Sequence, residues 1–215
     1  SLLPPMIPQF LVSRLDAFLW SQLIAGEGAP TVDFSQPLGE SALAPAESIS
    51  WRAFRNPVSL YVGGITAVLM ELAEPRVRSG VWEHTTFRDD PMRRMRRTGM
   101  AAMVTVYGAR SVAEKMISGV GRMHARIEGR TPAGVFYRAD DPELLRWVHA
   151  TALFGFMEAY DQFVCPLSSA ERDQFVAEGV PAAHLYGAKQ PPSSEAEMRA
   201  MFEDMLPQLE PSDIV

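Results

Sequence analysis

Arg94 and Thr98 stand four residues apart in a run that opens with Asp89-Asp90-Pro91, and His124 follows on the next helical stretch. An i, i+4 pair projects from one face of a helix. A guanidinium beside a hydroxyl suits an anionic group such as a haem propionate, or bound oxygen awaiting polarisation. A histidine from the next helix could hold the same cofactor from its other side. Ala101-Ala102, just beyond, keeps the adjoining surface low. The run also carries Arg88, Arg93, Arg96 and Arg97. For Arg93 and Arg96 a solvated helix face is explanation enough.

The other histidines are His84, His149 and His184. A lone histidine on a helix is more often a hydrogen-bonded packing residue than a ligand. His124 and His149, however, belong to consecutive predicted helices joined by the loop after Gly129. In an antiparallel hairpin both lie near the loop end, one ligating a metal and the other orienting it. Other chemistries lack their residues. There is no phosphate loop, no Gly-x-Ser-x-Gly elbow and no His-Glu-x-x-His. Gly119-Val120-Gly121 has no third glycine and no preceding strand. The Glu-x-x-His pairs of a di-iron bundle are missing too.

Helices must position these groups. Phe10, Leu11, Leu15, Phe18, Leu19 and Leu23 predict an amphipathic helix over 8–23. The Pro-, Ser- and Ala-rich stretch 29–50 reads as an irregular surface wrap with at most a short turn of helix. Asn56-Pro57 caps a helix over 58–73 that is apolar almost all round, the mark of a buried element. Gly63-Gly64 within it suits a helix crossing or a flat ligand. After Glu74-Pro75 come a short helix and a loop to Phe87. Asp90-Pro91 starts a helix over 92–107. Ser111 with Glu114 reads as a capping box for the next, which runs to Ile127. A loop over 131–139, with room for a short extended piece, follows, then a helix over 143–164 and another from Ser168 to Glu178. The last spans 194–205. No strand of conviction appears, so the class is all-α, a single globular domain over 1–215.

The 215 residues are 47% hydrophobic and 21% charged, with a net charge of -6, ordinary values for a folded globular chain. The acidic balance argues against a nucleic-acid partner, which demands surplus Lys and Arg. Cys165 is the only cysteine, so no intrachain disulfide and no cysteine zinc site can form, and a cytoplasmic location is the default. The start Ser1-Leu2-Leu3-Pro4-Pro5 lacks the basic leader of a signal peptide and an initiating Met, and reads as a trimmed start. The longest apolar stretch, 59–69, falls short of the about 20 residues needed to cross a bilayer. Oligomeric state has no signature.

Four blocks in order carry a family resemblance: 80–87 (GVWEHTTF); Asp90-Pro91 with Arg94-x-x-x-Thr98; Met123-His124-Ala125; and 137–151 (YRADDPELLRWVHAT). Over about 58–169 the chain resembles the MpaB-like oxygenases, which include the latex-clearing rubber oxygenases. The Trp-Val-His-Ala-Thr block is the most specific piece. The resemblance implies a globin-like helical core, haem b, and oxygen-dependent chemistry on a small hydrophobic substrate. His124 matches the family's proximal iron ligand. Arg94 and Thr98 match its Arg-x-x-x-Thr motif, and Arg97 falls where a lysine occurs in the rubber enzymes. The family's catalytic carboxylate has two candidates here, Glu71 and Glu83. His149 is a further cofactor-side candidate. Two other readings share these residues: a haem or hydrophobic-ligand carrier that does no oxidation, and a cofactor-free scaffold.

Overall fold

A computed structural model describes residues 13–15, 17–19 and 32–214. The predicted first helix therefore lies largely outside the described residues, although 13–15 and 17–19 are helical. Labels here start with the first complete helix. The elements are α1 (Ile49–Phe54), α2 (Pro57–Glu71), α3 (Pro75–His84), α4 (Pro91–Tyr107), α5 (Arg110–His124), β1 (Glu128–Arg130), β2 (Phe136–Arg138), α6 (Pro142–Phe163), α7 (Ser169–Tyr186) and α8 (Glu195–Met205). The fold is all-α, with one three-residue antiparallel pair among the described residues, in which Gly129 faces Tyr137. β2 is the short extended piece of the loop expected over 131–139, and β1, just before it, is the strand that was not expected.

Most helix starts follow the predicted local chemistry. Asn56, Asp90, Asp141, Ser168 and Ser194 each accept a backbone N–H of the first turn through the side chain, and Ser168 with Glu171 forms a full capping box. α5 departs from expectation. Its N-cap is Ala109, without a side-chain bond, and Glu114 lies 3.8 Å from Arg110. The Ser111 N–H and hydroxyl are taken instead by the two carboxylate oxygens of Glu40, at 2.6 and 2.8 Å. α5 also stops at His124, three residues short of Ile127.

α7 corrects a second boundary by running past Glu178 and through Pro181 to Tyr186. Proline in a helix interior forfeits a hydrogen bond, but burial of Phe175, Val176 and Ala183 holds this segment down. Gly187, at φ 98°, ends it in the left-handed conformation.

The main packing axis is the crossing of α2 over α6. A Cβ on Gly63 would stand 2.8 Å from the Phe156 Cα, and one on Gly155 would stand 2.4 Å from the Gly63 carbonyl oxygen. The two backbones therefore touch, and for Gly63 the helix crossing is the operative reason. Around this crossing Leu60, Trp147, Phe156, Met157 and Tyr160 join Phe175 and Val176 of α7 and Met198 of α8 in the core. A smaller cluster of Val68, Leu72 and Val81, backed by Phe87 and Met95, seats the start of α4 against α2. No single helix among the described residues is long and apolar enough to cross a membrane. α2 and α3 reach that length only as a pair bent by 111°.

Candidate functional site

Glu71 is the last residue of α2 and is buried, at 5% exposure. Two elements converge on it. The Arg94 guanidinium, from the first turns of α4, donates from Nη2 to its carboxylate at 2.6 Å, and the Trp147 indole of α6 donates to its backbone carbonyl at 3.2 Å. Phe87 lies under the guanidinium, 5.7 Å from ring centre to Cζ. Arg94 Nη1 is buried with no hydrogen-bond partner. An unsatisfied buried donor costs about 1–3 kcal/mol, so this atom is one on which a bound anion or acceptor would restore stability. Thr98 shares the Arg94 side of α4 by spacing but is exposed, and so is Arg97.

Glu83 occupies the end of α3 and is exposed. Its carboxylate accepts the Tyr137 hydroxyl of β2 at 3.0 Å. Burial first, and then the bond to this carboxylate, push Tyr137 up to about 12, so its hydroxyl stays a donor across the physiological range. Glu71 and Glu83 are thus placed differently, one buried against a guanidinium and one at the surface against a phenol.

His124 terminates α5 and is half-buried. Loss of solvent pulls its imidazole below the ordinary histidine range, against an opposing pull from Asp140. It is therefore neutral near pH 7, the form that offers a lone pair to a metal. Asp140 is itself held low, first by its bond to Arg138. His149 sits in another environment, on α6 against α7. A Cβ on Gly179 would lie 3.2 Å from its Nε2, and that nitrogen is buried without a partner. Burial and the nearby His184 bring His149 down to about 4. The two imidazoles thus answer to different neighbours, Asp140 for one and His184 for the other. α5 packs on α7.

Trp147, Phe87, Tyr137, Asp140 and His184 complete these surroundings, and none stood out as a site residue from the sequence. Trp147, Tyr137 and Asp140 carried a signal only as members of the block 137–151, and Phe87 only as the end of the block 80–87. Among the described residues no group of three or more His, Cys, Asp or Glu is arranged to hold a bare metal ion. A haem iron asks for less, since the porphyrin supplies four of its ligands and one neutral imidazole suffices from the protein. The donor chemistry of His124 and the spare Nη1 of Arg94 fit such a group.

An all-α chain with a desolvated neutral histidine and a buried arginine–carboxylate pair is one class of scaffold on which a cofactor can be held. The family model described as ER-bound oxygenase mpaB/B'/rubber oxygenase, catalytic domain, matches residues 51–215, and the chain belongs to that family. No curated protein and no solved structure matches it.

Proposed function

We propose that this chain is a haem b-dependent oxygenase acting on a small hydrophobic substrate with dioxygen. The observation that carries the reading is the family match over 51–215 joined to a neutral, half-buried imidazole at the matching position, His124. In this reading His124 is the protein's iron ligand, and haem, when bound, supplies the metal at which oxygen is activated. The rest falls to the protein. Glu71 fixes the Arg94 guanidinium through Nη2 and leaves Nη1 free to donate to an anionic or oxygen-bearing group, beside Thr98 and Arg97. A carboxylate takes up and returns a proton. Glu83 suits that role because only one of its oxygens is engaged by Tyr137 and solvent can exchange with the other. His149 acts by packing rather than contact.

Oxygen uptake by the haem-reconstituted chain, offered a panel of apolar alkenes, aldehydes and terpenoids, tests this function. Uptake dependent on substrate supports it. Haem retention with no uptake for any of them would leave the second reading, a non-oxidising carrier of hydrophobic ligands. A cytoplasmic location belongs to the same proposal, and its support is the lone cysteine.

A further inference from the structure

At the C-terminal end of α5 a depression of about 410 Å³ is lined by His84, Gly119, Arg122, Met123, Arg126 and Ile127. Its apolar side is Met123, left 44% exposed, and the half-buried Ile127. Its polar side is two guanidiniums and an imidazole. Basic residues at a helix C-terminus commonly offset the macrodipole, but here three of the last four carbonyls are already occupied. Gly121, Met123 and His124 accept the backbone N–H groups of Ala125, Arg126 and Ile127 at 3.0, 3.1 and 2.9 Å. The local acids are turned elsewhere. Glu83 takes the Tyr137 hydroxyl on one oxygen, Asp140 takes Arg138, and Glu128 lies 3.8 Å from that same Arg138. Arg122 has a hydroxyl partner, Ser118 at 2.7 Å. Among the described residues neither Arg122 nor Arg126 has a carboxylate within ion-pair distance.

An apolar floor with two uncompensated guanidiniums at its edge matches one ligand chemistry. We infer that this depression binds the carboxylate end of an amphipathic molecule, the carboxylate on Arg122 and Arg126 and the hydrocarbon on Met123 and Ile127. The carboxylate can come from an aliphatic acid or from a porphyrin propionate. The inference does not depend on the oxygenase reading, because the aliphatic case needs no haem.

Titration calorimetry on the full chain separates these cases, using dodecanoate against dodecanol and haemin against haemin dimethyl ester. The double variant Arg122→Gln/Arg126→Gln, at exposed positions, is compared with Arg122→Lys/Arg126→Lys. The expected result is that a carboxylated probe binds about tenfold or more weakly to the glutamine variant, that the lysine variant recovers most of the loss, and that the uncharged counterpart is unaffected. A loss confined to dodecanoate names an aliphatic acid, and one confined to haemin names a propionate. Equal affinity of both carboxylates for the native chain and the glutamine variant, or no binding of either to the native chain, would overturn the inference.

Discussion

Glu71 and Arg94 form the sharpest test of the site at the level of single side chains, because Glu71 is buried, the Arg94 side chain is only 16% exposed, and each neutralises the other. Removing one partner of a buried ion pair strands the other and costs about 3–5 kcal/mol. Glu71→Ala is therefore expected to lower the unfolding free energy by that order in urea titration, and Glu71→Gln, which keeps an acceptor for Nη2, by less. A loss below about 1 kcal/mol, the range of an exposed pair, would show that the pair is solvated. His149 makes a separate prediction about pH. Its folded value of about 4 lies below the ordinary 6.5, so between those values the unfolded chain binds a proton that the folded chain does not. Stability therefore falls as pH drops through that window and levels off below it, by about 3 kcal/mol in all. His149→Gln should flatten this part of the profile relative to the native chain. An unchanged slope from pH 7 to 4 would contradict the burial of Nε2. The Arg94 partner is 23 residues away in sequence, and such pairings have no local spacing to betray them.

Helices were legible at most of their local signals, with the exception of α1, whose Ser48 cap falls in the stretch read as a wrap. Asn56-Pro57, Asp90-Pro91, Asp141-Pro142 and Ser168 each join a capping side chain to its helix within a few residues, and the structure starts a helix at each. The failures share a cause. Ser111 is satisfied by Glu40, 71 residues earlier, and α7 persists through Pro181 because its inner face is covered by α6. The β1–β2 hairpin is three residues a side, too short for alternation to declare itself. Gly63 was rightly suspected as a crossing, with Gly155 as its partner, whereas Gly64 faces the Met95 side chain. Gly155→Ala should cost about 1–3 kcal/mol or more, since the added methyl meets backbone atoms that cannot rotate away. Gly121→Ala, with nothing within 4 Å of the added carbon, is the matched control and should gain slightly from better helix propensity. Equal midpoints for the two variants in chemical denaturation would dismiss the close approach of α2 and α6.

For the whole chain, the family relation spans more than the motif blocks alone delimit, reaching 51–215 and so taking in α7 and α8. Those helices are part of one core with α2 and α6 through Phe175, Val176 and Met198. The proposed function is the least local property, because in that reading His124, the Arg94–Glu71 pair and a cofactor act together. The decisive measurement is the visible spectrum of the full chain after reconstitution with haemin, beside that of His124→Ala checked for equal helicity. A Soret band of a histidine-ligated haem is expected in the native chain, and its loss or displacement in the variant. A native chain that retains no haem, or a variant whose band is identical to the native one, would contradict that expectation.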